Sequence, residues 1–232
     1  DREKCEKTRA VVENIDWPCE VERNYSAVNL GCRKRVSSGL DWVFNRAEEA
    51  IILEDDCLPH PTFFEFCDVL LDYYREDERV GHIGGTDYNR GSHRGSASYY
   101  FSRYTSIWGW ATWRRAWKDY DVDMREWPEL RHRQAHQEMF GFSEEAEHFE
   151  HVWDDIFSGE IDTWDGQWLL ACRRTGRLAI APNGNLISNL GCRADASHTV
   201  DEMHPFAELG LAGMSFPVLY SENFEPDDEA DL

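Results

Sequence analysis

The chain has 232 residues, of which 41% are hydrophobic, and this is enough for one large domain or two small ones with a buried core. Forty-five aspartates and glutamates face only 24 lysines and arginines, so the formal net charge is −21 at pH 7. A surface this acidic repels nucleic acid, and we expect no nucleic-acid partner. No run of about 18 apolar residues is present, which argues against a transmembrane segment.

The seven cysteines are scattered along the chain and contain no C-x-x-C pair. This pattern predicts neither a zinc ribbon nor a disulfide framework. It favours reduced, mostly buried thiols, as in a cytosolic protein, and we therefore expect a cytoplasmic location.

The first 90 residues alternate between helical and strand patterns. Apolar residues at helical spacing predict helices over 3–14, 29–47 and 61–77. Alternation and short apolar runs predict strands over 19–25, 50–54 and 79–86. This order of elements indicates a layered α/β domain with a mostly parallel central sheet.

The rest of the chain is less regular. After a polar, glycine-rich loop and an aromatic stretch, the patterns predict a polar helical region at 133–158, a helix at 162–176 and a strand at 177–182. The acidic end of the chain has the composition of a disordered segment. Without a repeat or a low-complexity linker, we expect one domain over 1–205 and an acidic, partly disordered tail over 206–232.

Three adjacent carboxylates, Glu54, Asp55 and Asp56, directly follow the strand predicted at 50–54. Adjacent like charges repel each other and are costly to desolvate, so a cation is expected beside them. Ligands of α/β sheets bind at the carboxyl ends of strands, and oxygen ligands at this position suit Mg²⁺ or Mn²⁺. The alternative is a solvated acidic turn near the positive end of the helix at 61–77.

Five stretches of the chain together resemble motifs of one known family. They are NLGC at 29–32, IILEDDCLPHPTFFEFC at 51–67, YYFSRYTSIWGWATWRRAW at 99–117, GEIDTWDGQW at 159–168 and PNGNLISNLG at 182–191. Over about residues 3–200 the chain thereby resembles bacterial and archaeal GT-A glycosyltransferases, often grouped as family 2-like or hemolysin-like sugar transferases. The order of the motifs is also similar to that in eukaryotic N-acetylglucosaminyltransferase I. EDDCLPHP and WGWATWRRAW are the specific parts of the resemblance.

The resemblance implies that a sugar moves from a nucleotide-diphosphate donor to a hydroxyl acceptor, with inversion at the anomeric carbon. Asp56 would ligate Mn²⁺ or Mg²⁺, and His198 matches a late histidine that some GT-A enzymes place near the metal or the diphosphate. Glu54 and Asp55 would contact the ribose or the waters of the metal. Asp165 matches the general base of inverting members.

Other positions match the residues that line the nucleotide sugar. Asn29 and Gly31 match the N-x-G that begins the helix beside the nucleotide. Gly109 and Trp110 match the pair beside the donor sugar, where glycine permits close approach of the backbone. Trp108 precedes this pair and, like Trp110, is a candidate to face the substrate.

Several of these residues also have a structural interpretation. Asp165 can simply open the helix predicted at 162–176, and Asp162 is the second candidate for the base. Arg35, with its basic neighbours in the helix at 29–47, is a candidate for a phosphate contact. Trp113 and Trp117 fall at helical spacing and are expected in the core.

GT-A domains open with a strand that helps to hold the nucleotide base, and residue 1 already matches the segment after it. We therefore expect the sheet to lack its first strand. The expected partners are a nucleotide-sugar donor and a glycan or lipid-linked acceptor, the latter compatible with peripheral binding at the inner membrane face. Two further hypotheses are a non-catalytic sugar-binding protein of the same fold and a metal-dependent nucleotidyl or phosphoryl transferase.

Overall fold

A computed structural model describes residues 2–140, 142–191 and 209–231. Within them the chain forms a mixed α/β fold. The α-helices are α1 (Arg2–Glu13), α2 (Gly31–Phe44), α3 (Thr62–Tyr73), α4 (Arg114–Trp117), α5 (Trp127–His132), α6 (Ser143–Ser158), α7 (Asp165–Arg174) and α8 (Asp228–Asp231), and a 3-10 helix spans Ala135–Met139. The strands are β1 (Glu49–Ile52), β2 (Cys57–Pro59), β3 (Val80–Gly84), β4 (Tyr99–Ser102), β5 (Trp110–Trp113), β6 (Leu178–Pro182) and β7 (Ile187–Asn189).

Five strands form the central sheet in the order β1-β5-β3-β6-β4. The pairs β1–β5, β5–β3 and β6–β4 are antiparallel, and the pair β3–β6 is parallel. The prediction of a mostly parallel sheet is therefore wrong. It fails because the aromatic stretch supplies β4 and β5, both of which run against their neighbours. Since β5 is antiparallel to both β1 and β3, the strands β1, β3 and β6 still point in one direction.

The position of β5 brings three loop segments to one edge of the sheet. Trp110, the first residue of β5, pairs with Ile52 at the end of β1 and with Gly84 at the end of β3. The segments that follow β1 and β3 therefore meet the segment that precedes β5. We call this region the acidic edge. It comprises residues 54–56, 85–88 and 108–109.

A second, two-stranded sheet extends the acidic edge. Strands β2 and β7 pair antiparallel, with Cys57 opposite Asn189. Just beyond this pair, the backbone N–H of Leu190 donates a hydrogen bond of 2.8 Å to the carbonyl oxygen of Asp56. The small sheet thus holds the segment that follows β7 against the end of the acidic triplet.

The residues of β5 alternate between two buried clusters. Ala111 and Trp113 pack with the apolar face of α3, whereas Trp110 packs with Trp117 and Trp168. Trp113 and Trp117 are 2% and 4% exposed, which confirms their predicted place in the core. Helices therefore cover the two faces of this strand, as expected of an α/β domain.

Two predicted features of the chain differ from the structure. The segment at 19–25 forms no strand and is held at the surface by contacts such as that between Arg35 and Asn24. Residues 221–231, expected to be disordered, instead pack on β4. Phe224 lies 4.3 Å from the ring of Phe101, and Arg94 pairs with Asp227 at 2.7 Å.

No helix in the described parts of the chain has the length and apolarity needed to cross a lipid bilayer. The six described cysteines are free thiols, but they are not mostly buried as expected. Two of them are buried and two are exposed.

Replacement of Gly109 tests the packing at the acidic edge. Gly109 has a φ of +64°, and a Cβ atom there would lie 2.4 Å from Cδ1 of Ile187 and 3.2 Å from Cδ2 of Leu53. We expect Gly109→Ala to lower the free energy of unfolding by about 3 kcal/mol, from backbone strain plus overpacking. Urea denaturation measures the loss.

Gly91→Ala is the matched control for this measurement. Gly91 also has a positive φ, +79°, but a Cβ atom there would meet nothing within 4 Å. Its replacement should cost only the backbone strain, about 1 kcal/mol. Equal losses in the two variants would contradict the close approach of Ile187 to Gly109.

Candidate functional site

Glu54 is the most perturbed carboxylate of the acidic edge. It is half-buried, and burial together with repulsion from Asp56 raises its pKa to about 7. Asp165 and Asp55 add smaller repulsions, while a hydrogen bond from the side chain of Trp164 acts in the opposite direction. The structure therefore brings Glu54 into electrostatic contact with Asp165, although the two residues are distant in the sequence.

Asp165 is the first residue of α7, and its side chain is held in place locally. The hydroxyl of Thr163 donates a hydrogen bond to Oδ1 of Asp165. Between them, Trp164 is 2% exposed and stacks on Trp110 with ring centroids 5.6 Å apart. Its carbonyl oxygen accepts a hydrogen bond of 3.1 Å from the hydroxyl of Tyr120. The hydrogen bond from Thr163 and the packing of Trp164 therefore fix the position of Asp165 at the start of α7.

Asp162, the second candidate for the base, is exposed and lies against the start of α2. A Cβ atom on Gly31 would lie 2.8 Å from Oδ2 of Asp162. Cys32, which follows Gly31 in the chain, is within electrostatic reach of Glu54, Asp165 and Asp162. Both candidates for the base are therefore neighbours of the acidic edge.

The two cysteines of this region are unsuited to nucleophilic chemistry. Burial, and then repulsion from Glu54, raises the pKa of Cys32 above its ordinary value. Burial raises the pKa of Cys57 to about 12. Because the thiolate is the reactive form, both side chains remain inert near neutral pH.

Asp56 is half-buried and is closely approached by the segment after β7. A Cβ atom on Gly191 would lie only 2.1 Å from Oδ2 of Asp56, so a larger residue there would displace the carboxylate. On the other side, Sγ of Cys57 lies 3.6 Å from Oδ1 of Asp56. Asp55, by contrast, is exposed. The acidic triplet thus presents two half-buried side chains and one that faces solvent.

The predicted ligands on α2 have structural partners. Oδ1 of Asn29 accepts a hydrogen bond of 2.9 Å from the backbone N–H of Gly31, the first residue of α2. Arg35 donates hydrogen bonds to the side chain and the carbonyl oxygen of Asn24. Arg33 donates to the carbonyl oxygens of Val122 and Ile156. The guanidinium groups of Arg33 and Arg35 therefore tie other segments to α2.

Trp110 is fully buried, at 0% exposure, and cannot contact a ligand. Its predicted place against the donor sugar is wrong, because its ring packs between the side chains of His82 and Trp164. Gly109 is also buried, and its carbonyl oxygen accepts a hydrogen bond of 2.8 Å from Gly85. Trp108 is half-buried and remains a candidate.

Tyr88 is a residue of the acidic edge that was not among the predicted site residues. It lies four residues after β3, and its ring packs edge to face on Trp108 with centroids 5.9 Å apart. Its hydroxyl is within electrostatic reach of Cys57 and Asp165. The available signal was its place after a predicted buried strand, at the edge where ligands of α/β sheets bind.

The described residues do not form a complete set of protein ligands for a metal ion at this site. Among those residues, no group of three or more His, Cys, Asp and Glu side chains is arranged to hold a metal ion. His198, the second predicted ligand, lies outside them. Mg²⁺ is commonly held by one or two carboxylates plus substrate phosphates and water, and the mutual repulsion of Glu54 and Asp56 fits a cation bound in this manner.

Comparison with known proteins does not extend this description. The chain matches no model of a known protein family and no curated protein.

Replacement of Glu54 by glutamine tests the charge of the site. The pKa of Glu54 is raised from 4.5 to about 7. At a pH between these two values, Glu54 therefore keeps its proton in the folded protein but has released it in the unfolded chain. This stabilising contribution is complete below pH 4.5 and is lost as the pH rises through 7. Between pH 4.5 and pH 8, the wild-type protein should lose about 1–3 kcal/mol relative to Glu54→Gln.

Urea denaturation in buffer without divalent cations measures this difference. Glu65→Gln, at an exposed position of α3, is the matched control and should follow the wild-type protein over the whole pH range. Parallel stability curves for the wild-type protein and Glu54→Gln would contradict the raised pKa.

Proposed function

We propose that the protein is a metal-dependent glycosyltransferase of the GT-A type, which transfers a sugar from a nucleotide-diphosphate donor to a hydroxyl acceptor with inversion. One observation carries the proposal. The acids that follow β1 and the acid that begins α7 share one electrostatic environment, since Asp56 and Asp165 both raise the pKa of Glu54. Such a reaction needs an acid to hold a cation and a second acid to accept a proton, close to each other.

Asp56 is the residue that we assign to Mn²⁺ or Mg²⁺ binding, together with the donor's phosphates. When bound, the ion supplies positive charge that stabilises the departing diphosphate. Glu54, whose charged form is favoured by the neighbouring side chain of Trp164, orders the waters around the ion or contacts the ribose. Asp55 is exposed and accessible to the nucleotide.

Asp165 is the residue that we assign as general base. It accepts the proton of the acceptor hydroxyl while the hydroxyl oxygen attacks the anomeric carbon. The hydrogen bond from Thr163 occupies one carboxylate oxygen, so the other oxygen is the one directed to the proton. General-base catalysis of this kind contributes roughly a hundred- to ten-thousand-fold to the rate.

The architecture supports the same proposal at a coarser level. Strands β1, β3 and β6 point in one direction, and the acidic edge lies where β1 and β3 end. Ligands of open α/β sheets bind outside the carboxyl ends of the strands. The acceptor that we propose is a glycan or a lipid-linked glycan on the cytoplasmic side of the membrane.

Two substitutions separate binding from catalysis. Asp56→Asn should abolish the rise in melting temperature that UDP or GDP produces with Mn²⁺, because the cation loses its protein ligand. Asp165→Asn should keep this rise but lower sugar transfer, or hydrolysis of the nucleotide sugar, by about a hundredfold or more. Thermal-shift and product-release assays with a panel of nucleotide sugars measure both effects.

Asp68→Asn, at an exposed position of α3, is the matched control and should behave as the wild-type protein. Glycan binding that survives chelation, without donor hydrolysis, would favour the non-catalytic sugar-binding protein. Release of pyrophosphate from a nucleoside triphosphate would favour the nucleotidyl transferase. Either result would replace the transferase proposal.

A further inference from the structure

Tyr88 occupies a fixed place in the loop after β3. The buried carboxylate of Asp87 accepts hydrogen bonds from the backbone N–H groups of Asn89 and Gly91, at 2.9 and 3.0 Å. The backbone N–H of Asp87 itself donates a hydrogen bond of 3.2 Å to Oδ1 of Asn185. The backbone on both sides of Tyr88 is therefore held by a buried acid, which limits the positions that the ring can take.

The loop that carries Tyr88 is also tied to the loop that carries Trp108. The hydroxyl of Thr86 donates a hydrogen bond of 3.1 Å to the carbonyl oxygen of Trp108, and the N–H of Gly85 donates one of 2.8 Å to that of Gly109. These bonds keep the two aromatic rings in their edge-to-face contact. Tyr88 and Trp108 therefore form one rigid aromatic wall, which we call the Tyr88 wall.

The side chain of Tyr88 is partly open to solvent. The residue is 36% exposed, although its ring packs on Trp108 and burial raises the pKa of its hydroxyl above the ordinary value. An aromatic side chain with this exposure can present an apolar ring surface to a ligand at the acidic edge.

The position of this ring relative to the acids matters for its role. The hydroxyl is within electrostatic reach of Cys57, the neighbour of Asp56, and of Asp165. Tyr88 also lies in the loop after β3, at the same end of the sheet as the acid assigned to the cation. An inverting transfer requires a sugar ring close to these acids.

We propose that the Tyr88 wall is a subsite for an uncharged pyranose ring, whose C–H groups pack on the ring of Tyr88 at the acidic edge. This assignment rests on the proposed function for its role in transfer, but the subsite itself is defined by the ring and its surroundings. Aromatic rings bind the apolar faces of sugars, and a ring that is already fixed loses little entropy on binding. The nearby carboxylates disfavour a sugar that carries its own carboxylate.

Saturation-transfer NMR with simple glycosides tests the subsite in the full chain. The probes are the methyl glycosides of glucose, galactose, mannose and N-acetylglucosamine. We expect transfer to the C–H protons of at least one of them in the wild-type protein and in Tyr88→Phe, which keeps the ring. Tyr88→Leu should weaken binding by about tenfold, and methyl glucuronide should give a weaker signal than methyl glucoside.

Tyr73→Leu is the matched control. Tyr73 is 57% exposed and stacks on Tyr220, with centroids 4.0 Å apart, outside the acidic edge. Its replacement should leave the glycoside signal unchanged. The proposal is overturned if no glycoside binds the wild-type protein, if Tyr88→Leu binds as the wild-type protein does, or if Tyr73→Leu loses the signal equally.

Nucleotide binding separates this proposal from the proposed function. Glycosides that bind through Tyr88, in a protein that no nucleoside diphosphate stabilises with Mn²⁺, would uphold the subsite and refute the transferase. Conversely, a protein that binds UDP or GDP but whose glycoside binding does not depend on Tyr88 would uphold the transferase and refute the subsite. If the pyranose is that of the donor, Tyr88→Leu should also reduce the additional affinity that a nucleotide sugar has over its free nucleotide. If the pyranose is that of the acceptor, Tyr88→Leu should leave this additional affinity unchanged.

Discussion

The interaction between the Trp164 side chain and Glu54, which favours the charged carboxylate, joins the core of this protein to its acidic edge. Glu54 follows an edge strand of the sheet, whereas Trp164 belongs to a cluster of buried rings that includes Trp110 and Trp168. This packing fixes the indole, and with it one of the polar groups that surround the half-buried carboxylate. The site therefore depends on core residues that no ligand touches, and a change in their packing would move the acids relative to Asp165.

The acidic edge is also a place where the fold retains unfavourable energy. Glu54 is desolvated among other acids, and a raised pKa means that its charged form destabilises the folded state. A protein under selection for stability alone would replace such a residue, and conflicts of this kind concentrate at functional sites. A bound cation would turn the repulsion between Glu54 and Asp56 into attraction to a shared charge, so the same carboxylates would favour the bound state.

The sequence predicts those elements whose own residues decide their structure. The helix predicted at 61–77 appears as α3, because its apolar periodicity reports burial directly, and the short buried strand predicted at 79–86 appears as β3. Strands β4 and β5 are buried at every position, so they show no alternation, and their direction depends on partners elsewhere in the chain. The acidic composition at the end of the chain likewise predicts a disordered segment. In the structure, however, Phe101 and Arg94 provide specific partners for Phe224 and Asp227.

Motif order places residues along the chain but does not say where a side chain points, and this limits what could be predicted of the site. Trp110 is the first residue of a strand, so alternation directs its ring opposite to Ala111 and into the buried cluster with Trp164. A residue in a loop at the end of the sheet has no such constraint. Tyr88 and Trp108 lie in such loops, next to the ends of β3 and β5, where Tyr88 is exposed and Trp108 is half-buried. The residues beside the strands therefore form the wall of the site, whereas the tryptophan at the start of β5 packs in the buried cluster with Trp164.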